Sequence, residues 1–499
     1  MQKASTVGFA VGVTLGWNSL AGLALSSAIG WDSVDVSDVI CIVSAGAAVG
    51  SLLIPAVLSN TKKLPRRFKK GANGPLVFAA VPLLILGWIL IYLADYSYRM
   101  LMVGRVVSGL GIGSACVLVP LYIGEISSND ARDTLLAYFH AMLTGGIFCA
   151  YAIAASRSYG DDVDVLPLSR YSLCCALACL PGLLCCAAPP SPYQLMMATP
   201  DGGEEAAREA LQRLDSSRLV GQAGKEALDR EIERMRTLAV PRVNRPLEAS
   251  LVRGFCFLFL FFFYFVGFFI YRLGLFSLAK LKVLRNKRFW GVFSTVTCIM
   301  ACQQLSGVSP IIFNALMLFD LAGSNRLLSS QLSLIFGSIQ IIFSILVPLL
   351  VKRLGRRKLL SMSSTIMGCT LLLLGSYIKG KDTVFESNNM NSWILPMSSI
   401  AVFITFYNIG IGPISWSLLA DSFPFEVKYL TASIIVGIGW SLCYVLNFYI
   451  TTLMMNLGVT ETLWLFIVFS ILNTIISQIF LIESRGKTLT DIQDEFVID

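Results

Sequence analysis

The sequence is dominated by long apolar stretches, each about as long as a helix that crosses a lipid bilayer. A bilayer core needs roughly 20 apolar residues per helix. Twelve windows meet this requirement, and they form two sets of six on either side of a polar middle: 7–28, 38–58, 75–94, 101–124, 135–155 and 171–189, then 289–319, 331–351, 359–378, 394–419, 431–455 and 462–482. The pattern predicts an all-α membrane protein with twelve transmembrane helices in two six-helix bundles, an arrangement typical of many secondary transporters.

The composition excludes a soluble globular protein. Apolar residues make up 55% of the 499 residues, charged residues only 14%, and the mean hydropathy is +0.71. Soluble chains average about 25% charged residues. The net charge of +8 comes from basic residues beside apolar spans, where they set topology, so we expect the bilayer as a partner and no nucleic acid.

Cysteine usage gives no support for a metal site or a cofactor. Nearly all of the 13 cysteines lie inside apolar runs, as expected of small buried thiols. No pair of CxxC motifs accompanies a histidine cluster, which a metal site of that type would need.

Basic loops predict the orientation of the spans. The loop after the second window and the loop after the eighth are rich in lysine and arginine, whereas the loop after the fifth is acidic: Lys62, Lys63, Arg66, Arg67, Lys69 and Lys70, then Lys352, Arg353, Arg356, Arg357 and Lys358, against Asp161, Asp162 and Asp164. Because basic loops stay in the cytoplasm, we expect both termini to be cytoplasmic.

These patterns predict four segments. They are an N-terminal six-helix bundle at 1–190, a cytoplasmic linker at 191–288, a C-terminal six-helix bundle at 289–482 and a cytoplasmic tail at 483–499. Opposite charges in 200–250 often fall three or four residues apart, which favours short surface helices. A disordered linker is the alternative.

An anomalous apolar insert lies at 252–280 of the predicted linker. Nine phenylalanines crowd into 255–269, and the stretch is long enough to cross a bilayer. A crossing there would move the basic cluster of Lys352 to Lys358 outside, against the charge rule. We therefore predict that 252–280 is not a functional span and is a translated intron. A membrane-surface helix is the alternative.

Polar side chains at span depth are candidates for a binding site, because inserting such groups into a bilayer is unfavourable. For a charged group the insertion costs roughly 2.5–3.5 kcal/mol. The candidates are Gln303, Gln304 and Asn314 in the seventh window, Gln340 in the eighth, and Asn408 and Trp416 in the tenth. Carboxamides donate and accept hydrogen bonds, which suits a ligand rich in hydroxyls, and an aromatic face can stack on a sugar ring. Hydrogen bonding between helices, at about 0.6 kcal/mol each, is the alternative role.

Two further patterns indicate a gate. Gly410, Gly412 and Pro413 weaken the tenth helix and allow a bend, although a static kink would use the same residues. Charged residues at predicted cytoplasmic helix ends could form ion pairs that close the inner side: Arg105, Glu125, Arg132, Arg356, Arg357, Asp421, Glu426 and Lys428. Interfacial snorkelling is the alternative.

A series of motifs in a fixed order resembles a known family. They are GRVVSGLGIG, PLYIGEI with Pro120, Tyr122 and Glu125, then Arg132, QQLSG, LGRRKLL, GPISW, FPFEVK and ESRGKTL. Their order and spacing are similar to the sugar porter family of the major facilitator superfamily over nearly the whole chain. The opening GWNSL and the loop lengths look most like the insect facilitated trehalose transporter group.

The resemblance implies a central sugar site between the two bundles and alternating access. The family's substrate-facing positions fall on Gln303, Gln304, Gln340, His140 and Trp416. The chain departs from the family at several positions: His140 replaces a glutamine, Ser309 an asparagine, Asn314 an aromatic residue, Pro190 a glutamate and Lys352 an aspartate. A neutral imidazole can imitate an amide, whereas Lys352 implies a weaker inner gate.

We therefore expect a plasma-membrane facilitative sugar transporter for a hexose or a trehalose-like disaccharide. Asn18 occupies the position that holds an aspartate in proton-coupled family members, which predicts uniport because an amide carries no proton through the cycle. The alternative is a non-transporting sugar sensor or scaffold with a transporter fold. An enzyme has no support, because the only histidine has no visible acid or nucleophile partner in the sequence.

Overall fold

The structure is a computed structural model that describes most of the predicted spans. The described residues are 2–28, 33–60, 80–94, 97–127, 129–155, 168–187, 191–192, 195–196, 203–214, 228–229, 232–233, 287–313, 326–383, 394–424 and 427–481. The insert at 252–280, Asn314, Glu426, Pro190 and the tail at 483–499 lie outside them.

The first half of the chain forms helices that match the first six apolar windows. They are α1 Gln2–Ala28, α2 Ser33–Asn60, α3 Val81–Leu93, α4 Tyr98–Ile126, α5 Asn129–Ala155 and α6 Leu168–Ala178, which continues into a 3-10 helix at Leu180–Ala187. A polar helix, α7 Gly203–Leu214, follows in the predicted linker. There Arg208 forms two ion pairs: its guanidinium lies 3.7 Å from a carboxylate oxygen of Glu204 and 2.5 Å from a carboxylate oxygen of Asp229.

The second half repeats this plan with two interrupted helices. It contains α8 Lys287–Gln303, a π-helical turn at Gln304–Val308, α9 Ser309–Phe313, α10 Arg326–Leu354, α11 Arg356–Thr383, α12 Ile394–Ile409, α13 Ile411–Asp421, α14 Lys428–Leu457 and α15 Val459–Ile479.

Nine helical segments in the described ranges are long and apolar enough to cross a membrane. Two shorter apolar helices lie at Val81–Leu93 and Arg170–Leu184. The count of twelve spans therefore stays a prediction. On α10 the exposed side chains Ile335, Ile342, Ile345 and Leu349 recur at helical spacing, as expected of a helix whose outer face meets lipid.

Two spans are broken, and glycine explains both breaks. The tenth span divides at Gly410, which has φ −119° and ψ −86°. Gly412 and Pro413 lie in the first turn of α13, where proline is tolerated. The seventh span divides at the π turn, where Gly307 adopts φ 86°, a conformation that favours glycine. The sequence predicted a bend in the tenth span only.

The helices pack into two bundles that meet along equivalent surfaces. In the first bundle α1 packs on α5 and α2 on α4; in the second, α11 packs on α12 and α15. Gly12 allows the close approach of α1 to α5, because a Cβ atom there would collide with the backbone carbonyl of Leu143. Between the bundles α2 meets α14 and α5 meets α10, so residues of α5 and α14 lie at the central interface.

Candidate functional site

A hydrogen bond joins the two bundles at the middle of α5. His140 Nε2 lies 3.1 Å from Asn408 Oδ1 of α12, and both side chains are buried. Asn408 Nδ2 donates to the carbonyl oxygen of Ile404 at 2.8 Å. The Asn408 carboxamide is thus engaged by protein groups at both its oxygen and its nitrogen.

The two glutamines of the seventh span lie in different surroundings. Gln303 is buried, and its Nε2 donates to the Tyr407 hydroxyl at 3.2 Å. Gln304 is half-buried and lies in the π turn, where its Oε1 accepts a hydrogen bond from Ser309 Oγ at 2.6 Å. Gln303 is therefore the deeper of the two amides, and Ser309 braces the other.

Gln340 lies one turn from a serine that extends this network. Ser344 Oγ is 2.7 Å from the backbone oxygen of Gln340 and 3.4 Å from Asn408 Oδ1. Thr144 Oγ1 of α5 lies 3.3 Å from Ser344 Oγ, again across the two bundles. We call His140, Gln303, Gln340, Ser344, Tyr407 and Asn408 the central cluster.

Three buried acceptors in the central cluster have no hydrogen-bond partner among the described residues. They are His140 Nδ1, Gln303 Oε1 and Gln340 Oε1. The two oxygens can only accept, and Nδ1 accepts when the hydrogen of the neutral ring is on Nε2. A buried acceptor without a partner costs about 1–3 kcal/mol, so each is suited to receive a hydrogen bond from a ligand. One acceptor belongs to the first bundle and two belong to the second.

Trp416 supplies an aromatic surface close to this cluster. Its ring makes an edge contact with Phe139, with ring centroids 5.9 Å apart. Phe139 precedes His140 on α5, and the His140 ring contacts Tyr407 at a centroid distance of 6.0 Å. Aromatic residues therefore border the polar groups, an arrangement common in ligand sites.

Ion pairs join the bundles at one end of α5. Arg356, at the start of α11, contacts Asp421 Oδ2 at 2.7 Å and also pairs with Asp133 of α5. Arg132 Nε lies 3.7 Å from Asp421 Oδ1, an ion pair beyond hydrogen-bond distance. Asp421 thus lies between an arginine of each bundle.

Glu125 forms a second set of contacts at the same end. Its Oε1 accepts from the Tyr429 hydroxyl at 2.7 Å and its Oε2 from Ser191 Oγ at 2.5 Å. Lys428 is buried and interacts electrostatically with Glu125 and Asp421. We call Glu125, Arg132, Asp133, Arg356, Asp421 and Lys428 the charged cluster.

The expectation that Arg105 belongs to this end is wrong. Arg105 and Glu125 are 20 positions apart on α4, which is roughly 30 Å at 1.5 Å per residue. Arg105 is fully buried in the first bundle, where it bonds to Asn18 Oδ1 and the Thr14 carbonyl and lies 4.7 Å from the Trp17 ring. The glycine-rich sequence that follows Arg105 gave no indication of the depth of this residue along the helix.

Of the two remaining gate candidates, the structure describes one. Arg357 donates to the backbone oxygen of Gln478 within the second bundle, and Glu426 is outside the described residues. Lys352 is exposed, whereas Arg356 is buried and has two carboxylate partners. The weaker inner gate expected from Lys352 stays a prediction.

Several residues in or beside the two clusters were missed in the sequence. Tyr407, Ser344 and Thr144 are ordinary span residues, and only their spacing beside Asn408, Gln340 and His140 could have indicated them. Asp133 directly follows Arg132, and its partner lies 223 positions away in the chain. No local pattern predicts such a pair.

The bundles also meet on the opposite side of the central cluster. Tyr151 of α5 donates to the Ile312 carbonyl of α9 at 2.9 Å. Asp133, His140 and Tyr151 thus contact the second bundle over 18 positions of α5, roughly 27 Å. Contacts between the bundles therefore lie on both sides of the unpaired acceptors.

Two pseudo-equivalent helical bundles with interrupted helices around buried polar groups define a secondary transporter of the major facilitator fold. A family model described as "Sugar (and other) transporter" matches residues 13–496. The chain belongs to this sugar transporter family, which confirms the resemblance seen in the motifs and the assignment to transport rather than to an enzyme.

Curated relatives and solved structures agree with this assignment. The chain is 27% identical to "Facilitated trehalose transporter Tret1" of Bombyx mori over 85% of this chain and 73% of that protein. It is 25% identical to "Sugar transporter ERD6-like 6" of Arabidopsis thaliana over 97% of this chain and 87% of that protein. Its fold is similar to the proton:xylose symporter XylE bound to 6-bromo-6-deoxy-D-glucose, with a TM-score of 0.71, 17% identity and coverage of 99% and 98%.

The similarity extends to a second structure of XylE. The inward open xylose transporter XylE from E. coli matches with a TM-score of 0.66, 17% identity, and coverage of 99% of this chain and 98% of that chain. These structures confirm the major facilitator fold.

Proposed function

We propose that the chain is a uniporter that carries a hexose or a trehalose-like disaccharide across the plasma membrane by alternating access. The observation that carries this proposal is the set of unpaired acceptors His140 Nδ1, Gln303 Oε1 and Gln340 Oε1. A sugar carries several hydroxyl groups, and each of them can donate a hydrogen bond to such an acceptor.

Both bundles contribute to the site, which suits a carrier. His140 lies in the first bundle, and Gln303 and Gln340 lie in the second. A sugar bound to all three would be held between two bodies that can rock against each other, as in other secondary transporters. The charged cluster would close one side, and the contact of Tyr151 with Ile312 would close the other.

Uniport is supported by the surroundings of Arg105. Its guanidinium bonds to the Asn18 carboxamide and to backbone carbonyls, and no carboxylate of the described residues pairs with it. A carboxamide does not bind or release a proton at physiological pH, so this pair offers no carrier for a coupling proton.

The substrate class follows from the relatives and the site together. One relative is named as a trehalose transporter and the fold neighbour as a xylose symporter.

The basic loops favour cytoplasmic termini. Nothing in the comparisons favours a non-transporting sensor.

The test is sugar counterflow in proteoliposomes that contain the purified chain. Liposomes preloaded with unlabelled trehalose, glucose or xylose should take up the matching radiolabelled sugar, whereas protein-free liposomes should not. Sugar binding without flux would identify the sensor, and neither binding nor flux for any of these sugars would contradict the proposal.

A further inference from the structure

We propose that Asn408 is a positioning residue that selects the tautomer of His140, so that its bare Nδ1 faces a substrate hydroxyl. The inference rests on the proposed function, because it assigns a role to one acceptor of the same sugar site. Asn408 was a candidate substrate ligand in the sequence, and the structure indicates that it acts through His140 instead.

The first step is the orientation of the Asn408 carboxamide. Asn408 Nδ2 lies 2.8 Å from the carbonyl oxygen of Ile404. A carbonyl oxygen can only accept, so the atom facing it must be the amide nitrogen. The other atom of the carboxamide, Oδ1, therefore faces α5 and can only accept.

The second step is the protonation of the His140 ring. Nε2 lies 3.1 Å from Asn408 Oδ1, so Nε2 must carry the hydrogen of this bond. A neutral imidazole has one protonated nitrogen, which leaves Nδ1 as a bare acceptor. That Nδ1 is buried with no hydrogen-bond partner among the described residues.

The third step is the restraint on the ring itself. A Cβ atom on Gly412 would lie 2.7 Å from His140 Cε1 and 2.8 Å from Nε2, so the ring packs directly against the backbone of α13. Tyr407 contacts the ring from α12. These contacts oppose a flip of the ring about its Cβ–Cγ bond, which would put Cε1 and Cδ2 in the places of Nε2 and Nδ1.

The bond also depends on the arrangement of the bundles. His140 belongs to α5 of the first bundle and Asn408 to α12 of the second. His140 Nδ1 is therefore held in its unprotonated, accepting form only while these two helices remain in contact. When the bundles separate at this level, the preference for one tautomer should be lost together with the hydrogen bond.

The experiment uses the fact that the chain has one histidine. Protein labelled with ¹⁵N-histidine in lipid bilayers gives one imidazole in solid-state NMR spectra. We expect a protonated Nε2 and an unprotonated Nδ1 without sugar, and a shift of the Nδ1 signal when saturating trehalose or glucose is added. A protonated Nδ1 in the parent would overturn the inference, and so would an Nδ1 signal insensitive to a sugar that the protein transports.

Variants separate positioning from a structural role. Asn408→Ala, or Asn408→Ser if the alanine variant does not fold, should produce a mixture of tautomers. Asn447→Ala is the matched control, because Asn447 Nδ2 makes the same type of bond, 2.7 Å to the Cys443 carbonyl, without contacting His140. An unchanged tautomer in the Asn408 variant, or the same mixture in the control, would overturn the inference.

Transport kinetics give a second readout. Asn408→Ala should raise the sugar concentration at half-saturation roughly two- to tenfold, as expected from the loss of one hydrogen bond. In a His140→Ala background the same substitution should change it less than twofold, since position 140 then has no acceptor for Asn408 to orient. Equal effects in the two backgrounds would overturn the inference. The tautomer measurement needs no sugar, so failed uptake of every sugar would overturn the proposed function separately.

Discussion

Arg356 of the second bundle forms an ion pair with Asp133 of the first, so one buried guanidinium links the two bodies of the transporter. The same guanidinium also contacts Asp421 at 2.7 Å. Removing one partner of a buried ion pair destabilises the state that contains it. The pair should therefore favour the conformation in which the charged cluster is closed.

Asp133→Asn should open the charged end more often. The Asp133 side chain is 31% exposed, so we expect a loss of about 1 kcal/mol, or roughly a fivefold change in the ratio of the two states. The measurement is the labelling rate of Ser127→Cys at this end by a thiol reagent. Asp38→Asn, which neutralises a carboxylate that accepts a hydrogen bond from Tyr98 outside the charged cluster, should leave this rate unchanged. Equal labelling of Asp133→Asn and its parent would refute the gating role.

The chain should not accumulate sugar against a gradient when a proton gradient is imposed. Asn18 and Arg105 provide no group that binds and releases a proton during the cycle. Uptake should stop at equal concentrations on both sides, and an uncoupler should not change the plateau. Accumulation driven by an inward proton gradient, and lost with the uncoupler, would contradict uniport.

Gln303→Ala should impair transport more than Gln304→Ala. Gln303 is buried with an unpaired Oε1, whereas Gln304 Oε1 already accepts a bond from Ser309. Loss of one ligand hydrogen bond by Gln303→Ala should raise the half-saturating sugar concentration about tenfold. Uptake is compared at equal surface abundance, and unchanged uptake in both variants would remove these amides from the site.

Gly412→Ala should strongly reduce transport, because its methyl group would lie 2.7 Å from the His140 ring and displace it. Gly439→Ala is the matched control, since a Cβ atom there meets nothing within 4 Å. We expect at least a tenfold loss of uptake for Gly412→Ala and less than a twofold change for Gly439→Ala. Similar uptake by the two variants would show that the His140 ring tolerates displacement.

Deletion of 252–280 should preserve transport. The insert is predicted to be a translated intron, and joining Leu251 to Leu281 restores an ordinary family spacing. Counterflow by the shortened chain should match that of the full chain, and transcript sequencing should find the stretch absent from most mature messages. Its presence in most messages would favour the membrane-surface helix instead.

Much of the fold and part of the site could be predicted from local sequence properties. A span is defined by its own apolar length, so the windows, the membrane class and the family motifs were readable without a structure. Gln303 and Gln340 were candidates because polar groups at span depth are unusual, and His140 was a candidate through the family resemblance. The bend at Gly410 could also be predicted from the sequence, because glycine weakens any helix in which it occurs.

Only the tertiary structure decided which of these residues meet. Arg105 and Glu125 share one helix yet lie at opposite ends of it, and Arg356 finds Asp133 of the other bundle. The tautomer of His140 depends on Asn408, which comes from a helix 268 positions further along the chain. Hydropathy and charge patterns are local properties of the chain, whereas these contacts depend on how the two bundles dock.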